Sequence, residues 1–378
     1  MEETFLNNLV QFRQELHQHP EVSQKEFQTQ QRILLKLKEL GAEQIIPIGG
    51  TGVLAIFEGK SLGKTVLLRA DTDALPIQEV NDFAHRSIFE GVSHKCGHDG
   101  HTAVMMAVAA HLINHQLPQG RALLLFQPAE ENGEGAKAVL ADKQFPFAPD
   151  WVFAFHNLPG YPLHKIIVRE GSFTAAAKSI ILKLNGKTSH AAEPELGINP
   201  ALAISELIQM LNSSSQPDLA RDDFALTSPV HINMGERAYG VSAGYGEVHY
   251  TLRTWDNQTM DSLCEKIVKA AKEIANKNSL QLTIDWTESF FANQNDKEAV
   301  QMIRQAAIDN NLVHEDRPTP FKWGEDFGLF TEKYRGAMFG IGSGENHPAL
   351  HNPDYDFPDA ILPTGFTMFL SILNHALK

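Results

Sequence analysis

The feature of this sequence that most constrains its fold is an alternation of short apolar runs with helical patterns, which is broken once. Runs typical of buried strands lie at residues 52–57, 65–70, 121–126 and 151–155. Stretches with a helical spacing of apolar residues lie before and between these runs. Strands that alternate with helices predict an α/β sheet with helices on its faces.

Three helical patterns belong to this first part of the chain. Apolar residues recur at helical spacing from Phe5 to Leu16, and a second pattern ends at Leu40, directly before Gly41. Residues 102–115 are rich in Ala, Val and Met, which predicts a buried helix.

The alternation changes near residue 172 and resumes near residue 292. The stretch between contains three strand-like runs and two helical patterns, the first helix opened by Pro200; they lie at 179–184, 199–211, 248–254, 260–278 and 281–286. We therefore predict a small α+β domain, residues 173–290, inserted into a larger α/β domain. Residues 1–172 and 291–378 form that larger domain, around a central mixed sheet flanked by helices.

Composition excludes several classes of partner. The 378 residues carry a net charge of −14, spread along the chain, which argues against general affinity for nucleic acid or for an anionic membrane. No uncharged apolar run approaches the ~18 residues of a membrane span, and Met1–Phe5 lack the basic and apolar regions of a secretory signal. With Cys96 and Cys264 as the only cysteines, a reducing compartment is favoured, so we expect a cytoplasmic protein.

The most informative motif is Cys96-Gly97-His98-Asp99-Gly100-His101, which directly precedes the predicted buried helix. Cysteine, histidine and carboxylate are the usual ligands of zinc and similar divalent ions. The motif thus favours a metal site, although a loop with a chance histidine cluster has the same composition.

Paired carboxylates follow two of the predicted strands. Glu130 and Glu131 come after the run that ends at Phe126, and Asp71 and Asp73 come after the run that ends at Ala70. Neighbouring residues of an extended chain point in opposite directions, so Glu130 and Glu131 can take different roles. Asp71 and Asp73 can face one way if the strand persists. Ligands in α/β sheets lie beyond the carboxyl ends of strands, which favours a site over a solvated acidic loop.

Two further histidines stand at comparable places. His156 ends an apolar run, and His351 lies in the loop Leu350-His351-Asn352-Pro353. A lone histidine is more often structural than functional. These motifs together favour a functional site, because every one of them falls at a predicted strand end or in a loop marked by Gly or Pro.

At these motifs the chain resembles the amidohydrolase and carboxypeptidase branch of the di-metal aminoacylase superfamily. That branch includes hippurate hydrolases, indole-acetyl-amino-acid hydrolases and N-acetyl-diaminopimelate deacetylases. The resemblance covers nearly the whole chain, and its motifs are 13–21, 69–76, 96–103, 128–131, 155–157, 324–327 and His351. It implies a metal-dependent enzyme that hydrolyses the amide bond of N-acyl amino acids or short peptide-like substrates.

The resemblance also implies roles for individual residues. It implies two divalent ions, of zinc, manganese, cobalt or nickel, held by Cys96, His98, Glu131, His156 and His351. Glu130 corresponds to the general base, and Asp73 to an aspartate that orients a ligand. Asp71 stands where the peptidase relatives carry a metal-binding histidine.

The inserted domain corresponds to the family's lid, which often dimerises. Its His190, in Gly186-Lys187-Thr188-Ser189-His190, matches a histidine that reaches toward the scissile carbonyl, in the same chain or across a dimer. Arg253, at the end of a lid strand, is the candidate for binding a substrate carboxylate. A homodimer through an exposed lid strand is therefore expected; a surface-loop histidine is the alternative for His190.

The sequence departs from the family pattern in two places. The lid carries Gly240-Val241-Ser242-Ala243 where relatives have Asn-Val-Ile-Pro, and the acidic pair often found after His351 is absent. Two alternative functions stay open. One is an aminopeptidase or dipeptidase on the same fold, and the other is an inactive metal-binding scaffold, which the presence of Glu130 argues against.

Overall fold

The computed structural model describes residues 3–378, so the predicted features of residues 1 and 2 lie outside it. The described chain forms two compact units. The first unit consists of the chain up to Phe173 together with Asn293–Pro318 and Glu325–Lys378. The second unit consists of Thr174–Ala292 and Thr319–Gly324.

Helices and strands alternate along most of the described chain. The α-helices are α1 (Glu3–Gln18), α2 (Phe27–Leu40), α3 (His98–Asn114), α4 (Gly135–Ala141), α5 (Ala201–Ser213), α6 (Asn257–Lys277), α7 (Lys297–Asp309), α8 (Gly328–Lys333) and α9 (Leu362–Ala376). The strands are β1 (Gln44–Ile48), β2 (Gly52–Glu58), β3 (Thr65–Asp71), β4 (Arg121–Gln127), β5 (Trp151–Pro159), β6 (Ile166–Val168), β7 (Gly171–Thr174), β8 (Ala176–Asn185), β9 (Ser189–His190), β10 (Ala225–Met234), β11 (Val241–Ser242), β12 (Tyr245–Thr254), β13 (Gln281–Phe290), β14 (Asn293–Asn295), β15 (His314–Asp316) and β16 (Gly336–Gly344).

An eight-stranded sheet organises the first unit, in the order β1-β2-β4-β3-β5-β16-β6-β15. Strands β4, β3, β5 and β16 run parallel to one another, whereas the pairs β1–β2, β2–β4 and β16–β6 are antiparallel. The predicted mixed sheet is thus confirmed. Because β3, β4 and β5 are parallel, their carboxyl ends lie at one edge of the sheet.

The core of the first unit lies between this sheet and the helices packed on it. Strands β3 and β4 are buried along nearly their whole length, as expected of parallel strands covered on both faces. Helix α3 is buried on every side up to Ala110, which explains its almost uniformly apolar sequence. It begins at His98, four residues before the predicted start, because Gly97 directly before it adopts a left-handed φ of 94°.

The second unit is built on a four-stranded antiparallel sheet in the order β10-β12-β8-β13. Val248, Tyr250 and Leu252 of β12 are buried against α5 and α6, while the intervening residues lie on the opposite face. Helix α5 begins directly after Pro200, as the sequence predicts. Strand β10 lies at one edge, and its second half, from Pro229 to Met234, is exposed.

No helix within residues 3–378 combines the length and the apolar character needed to cross a membrane.

Candidate metal centre and active site

Seven of the predicted site residues come together in the first unit, at the carboxyl edge of β3, β4 and β5. Cys96 and His98 lie at the start of α3, His156 lies within β5, and the remaining residues lie in turns that follow strands. Asp73, Glu130, Glu131 and His351 are those remaining residues.

Two groups of candidate metal-ligand atoms, which share Cys96, lie at this edge. The sulfur of Cys96 lies 3.5 Å from Nε2 of His156, and Nε2 of His98 lies 3.8 Å from Oε1 of Glu131. Oε1 of Glu131 lies 3.6 Å from Nε2 of His351. Cys96 belongs to a group with His98 and His156 and to another with Glu131 and His351, and in each group the three ligand atoms lie within 4.8 Å of one another.

Tight backbone turns bring these side chains into place. A side chain at residue 97 would place its Cβ 2.7 Å from Oδ1 of Asn157, so only glycine fits between the Cys96 turn and β5. His351 itself has a left-handed φ of 65° and donates its backbone N–H to the carbonyl of Lys95 at 2.7 Å. The loop of His351 is therefore tied directly to the segment that carries Cys96.

Asp73 orients His98. Its Oδ1 lies 3.2 Å and its backbone carbonyl 2.9 Å from Nδ1 of His98, which turns Nε2 of that ring toward Glu131. Its other carboxylate oxygen accepts hydrogen bonds from Ser23 Oγ at 2.7 Å and from the backbone N–H of Glu131 at 3.0 Å. A carboxylate behind a metal-binding histidine is the usual way to fix the ring and its tautomer.

Glu130 and Glu131 share one neighbour, His98, and differ in their other neighbours. The two residues lie in a turn, not in an extended strand, and Ala129 before them has a left-handed φ of 52°. Oε1 of Glu131 lies 3.8 Å and Oε2 of Glu130 lies 4.0 Å from Nε2 of His98. Glu131 also lies near His351, whereas Oε1 of Glu130 accepts the backbone N–H of Asp326 at 3.4 Å.

A buried ion network lies behind Glu130, and the sequence did not predict it. Arg69 donates to Asp71 at 2.6 Å, to Glu325 at 2.8 Å, to Asp326 at 2.7 Å and to Gln127 at 3.0 Å. The arginine side chain is fully buried. An arginine inside the apolar run Val66-Leu67-Leu68-Arg69-Ala70 was the available signal, because a buried guanidinium requires acidic partners.

Asp71 belongs to this supporting layer. Strand β3 ends at Asp71, yet Asp71 and Asp73 both approach His98: Oδ2 of Asp71 lies 3.6 Å from its Nε2, and Oδ1 of Asp73 lies 3.2 Å from its Nδ1. Asp71 bonds to Arg69 and to Nδ1 of His101, and Nε2 of His101 contacts Oδ1 of Asn157. His101, the second histidine of the Cys96 motif, therefore has partners on both ring nitrogens.

The electrostatics of the centre are those of an anionic site. Burial raises the pKa of the Cys96 thiol well above its usual value, and the charges of Glu131, Glu130 and Asp71 add to this effect. Burial, together with the charges of Glu325 and Glu131, also raises the pKa of Glu130.

Two buried atoms at this site, Nε2 of His98 and Oε1 of Glu131, have no hydrogen-bond partner among residues 3–378. Buried polar atoms are almost always satisfied. A soft thiolate, imidazoles and carboxylates around two orphaned atoms fit divalent transition-metal ions, which would satisfy those atoms and offset the negative charge.

His190 and Arg253 belong to the second unit. His190 is exposed in β9, which pairs with Val241–Ser242, the segment that departs from the family pattern. The backbone N–H of Ala192 donates to Nδ1 of His190 at 3.0 Å. Arg253 donates to the carbonyl of Lys322 at 2.9 Å.

Comparison with known proteins identifies the family. The model of peptidase family M20/M25/M40 matches residues 67–375. The chain belongs to this family. It is 33% identical to a hippurate hydrolase of Campylobacter jejuni over 97% of this chain and 96% of that protein. It is 32% identical to an N-acetyl-L-cysteine deacetylase of Bacillus subtilis over 97% of this chain and 88% of that one.

A crystal structure supports the same assignment. The YXEP protein of Bacillus subtilis, described as a dinuclear metal-binding peptidase of the M20 family, shares 28% identity with a TM-score of 0.85. The alignment covers 100% of this chain and 99% of that one. The family resemblance, the α/β fold class and the prediction of a metal-dependent amidohydrolase are confirmed by these matches.

Proposed function

We propose that this enzyme hydrolyses the amide bond of N-acyl amino acids or short peptide-like substrates at a two-metal centre. The observation that carries the proposal is the convergence of thiol, imidazole and carboxylate groups around two orphaned buried atoms. The relatives named for hydrolysis of hippurate and of N-acetyl-L-cysteine support the substrate class.

Five residues would hold the two ions: Cys96, His98, Glu131, His156 and His351. Divalent ions at such a site supply a water of lowered pKa and polarise the substrate carbonyl. Zinc, manganese, cobalt and nickel all accept this donor set. Burial lowers the pKa of His156 well below its usual value, which keeps the ring in the neutral form that binds metal.

Glu130 would act as the general base. Its Oε1 accepts the backbone N–H of Asp326, and its Oε2 lies 4.0 Å from Nε2 of His98, so its carboxylate would take a proton from water beside the centre and pass it to the leaving nitrogen. The backbone N–H of Asp326 and the Arg69 network behind it restrict where the carboxylate can go. This restraint favours a fixed proton-transfer distance.

His190 and Arg253, both in the second unit, would bind the substrate. Because Ala192 donates to Nδ1 of His190, the neutral ring carries its proton on Nε2 and can donate it to a developing oxyanion. The guanidinium of Arg253, held by the Lys322 carbonyl, suits a substrate carboxylate.

We also propose a homodimer formed through the second unit, in the cytoplasm. The edge strand β10 exposes Val230, Ile232 and Met234, and an exposed apolar strand edge pairs readily with a second copy. Both cysteines are free, which suits a reducing compartment.

The central test is Glu130→Gln. The variant is expected to keep its fold and its metal while turnover falls by about 10²–10⁴-fold, the usual scale for a lost general acid–base. Glu134→Gln, in the same loop but paired with Lys137, serves as the matched control and should retain activity. Near-normal turnover of Glu130→Gln would remove Glu130 from the mechanism.

Metal analysis tests the ligands independently. Protein prepared without chelator should carry up to two divalent ions per chain, and the Cys96→Ala/His98→Ala variant should carry fewer. Full occupancy in that variant would contradict the assignment.

Substrate assays separate the proposed reaction from its alternatives. Acetyl- and benzoyl-amino acids should be cleaved in the presence of added metal, and unblocked dipeptides should be poor substrates. Preference for unblocked dipeptides would favour an aminopeptidase, and no turnover with loaded metal would favour an inactive scaffold. His190→Ala should lower turnover while metal content holds.

A further inference from the structure

The second unit carries a cluster of potential metal ligands that the amidohydrolase reaction does not use. His231 of β10 pairs directly with His249 of β12, and Glu247 lies two residues before His249 on the same strand. Side chains two apart on a strand share a face. This face is opposite to the one that Val248 and Tyr250 bury against α5 and α6.

We propose that His231, His249 and Glu247 bind one zinc-like divalent transition-metal ion. Nε2 of His249 lies 3.4 Å and Nε2 of His231 lies 3.7 Å from the same carboxylate oxygen, Oε1 of Glu247. From metal–ligand distances of about 2.0–2.2 Å, neighbouring ligand atoms of a tetrahedral zinc lie roughly 3.3–3.6 Å apart. Two imidazoles and one carboxylate form a donor set that zinc uses, with the fourth position left to water.

A simple ion pair explains these distances less well. Hydrogen bonds from nitrogen to oxygen are 2.7–3.2 Å long, yet both nitrogens stay farther from Oε1 than that range. Nε2 of His249 is shielded from solvent and has no hydrogen-bond partner within the described part of the chain. An ion between the three atoms satisfies His249 at the observed spacing.

An irregularity in the sheet creates the cluster. The pairing of β10 with β12 shifts between Pro229 and His231, so that Val230 is bulged out of the ladder. Without this bulge, His231 would pair with Val248 and lie on the buried face, because a shift of one residue exchanges the faces of a strand. The bulge therefore brings His231 beside His249.

Tyr245 prepares the carboxylate for a cation. Its hydroxyl donates to Oε2 of Glu247 at 2.6 Å, which leaves Oε1 directed at the two histidines. Such an outer hydrogen bond usually fixes the orientation of a metal-binding carboxylate. His231 is 54% exposed, so ions from solution can reach the site. A bound ion would fasten the edge strand β10 to β12.

The test compares the zinc content of the full-length wild type with that of a variant that lacks the proposed ligands. Ions bound at the two-metal centre are present in both proteins and cancel in the difference. Equilibrium dialysis against micromolar Zn²⁺ with excess Mg²⁺, followed by metal analysis, should give one ion fewer in His231→Ala/His249→Ala than in wild type. Asn233→Ala, on the same strand and face, is the matched control and should bind as wild type. Equal zinc content in wild type and the double variant would overturn the proposal.

Labelling of individual histidines gives a second measurement that does not depend on the double variant. Zn²⁺ should protect the exposed His231 of wild type from diethylpyrocarbonate, as measured by peptide mass spectrometry. Tyr245→Phe should need about tenfold more Zn²⁺ for the same protection, the scale of a lost outer hydrogen bond, and Glu247→Gln should lose it. Labelling of His231 that does not respond to Zn²⁺ would refute the site. Hydrolytic activity reports on the two-metal centre and should be unchanged in these variants.

Discussion

Replacing Arg69 with methionine should destabilise the first unit strongly. The arginine is completely buried and donates to Asp71, Glu325 and Asp326 at 2.6–2.8 Å. Each hydrogen bond to a charged group contributes about 1.5–3 kcal/mol, but the three share one guanidinium and are not additive. Breaking a buried ion pair from one side costs about 3–5 kcal/mol, and we expect a loss in this range, or roughly 10 °C in melting temperature.

The loss should depend on pH in a defined direction. Burial raises the pKa of Asp326 to about 7 even with Arg69 opposing it. A carboxyl group whose folded pKa is raised stabilises the fold below its unfolded pKa, and this stability is lost as pH rises through the folded pKa. Without Arg69 the pKa values of Asp326 and its neighbours rise further. The deficit of the variant should therefore be larger at pH 8 than at pH 5.5.

Urea denaturation with chelator present, at both pH values, measures this effect without a metal contribution. Arg335→Met is the control, because Arg335 also bridges two carboxylates, Asp296 and Glu298, but is 54% exposed and should lose less than about 1 kcal/mol. Arg69→Met combined with Asp326→Asn should recover part of the loss. A deficit below about 1 kcal/mol at pH 8, or one that does not shrink at pH 5.5, would refute the reasoning.

Three further changes around the start of α3 should each have a measurable effect. Gly100→Ala should lose about 1–3 kcal/mol of unfolding free energy by overpacking, since its Cβ would lie 2.3 Å from the Phe357 ring. Adding Phe357→Leu should restore stability. An unchanged urea denaturation curve of Gly100→Ala would contradict this prediction. Burial alone would lower the pKa of His17, but hydrogen bonds to Asp99 and Glu79 raise it to about 9. The stability that protonated His17 contributes is fully present below its unfolded pKa of about 6.5 and is lost as pH rises through 9. His17→Asn should therefore be most destabilising at pH 6 and least at pH 9.5. A loss of stability that does not depend on pH would count against the ion pair. Removal of metal by chelator should lower the melting temperature, and re-added Zn²⁺ or Mn²⁺ should raise it with concentration by mass action; a melting temperature indifferent to metal would argue against ions in the folded state.

Features of local sequence predicted four of the eight strands of the large sheet, namely β2, β3, β4 and β5. The runs before Asp71, Gln127 and His156 are predominantly apolar, with Arg69 as the exception inside the first, because parallel strands are covered on both faces. Such runs are visible without any knowledge of tertiary contacts. Their parallel arrangement brings the residues that follow them to one edge, which is why motifs far apart in sequence could be predicted to meet.

Features that depend on single backbone angles or on register could not be predicted in this way. The orientation of Glu130 and Glu131 depends on a turn in which Ala129 has a left-handed φ, and an alanine in the sequence does not predict that conformation. The pairing of His231 with His249 depends on one bulged residue, and an ordinary alternation places His231 on the wrong face.

The ion network around Arg69 compensates part of the negative charge at the predicted centre. Six carboxylates lie within or directly behind the predicted centre, and they are Asp71, Asp73, Glu130, Glu131, Glu325 and Asp326. Arg69 bridges three of them, which leaves an excess of negative charge on the side that faces His98. Burying that charge is costly unless cations compensate it. Stability of the first unit and affinity for divalent cations are therefore linked, and the arginine that the reaction does not touch determines how much of that charge is left for the cations to balance.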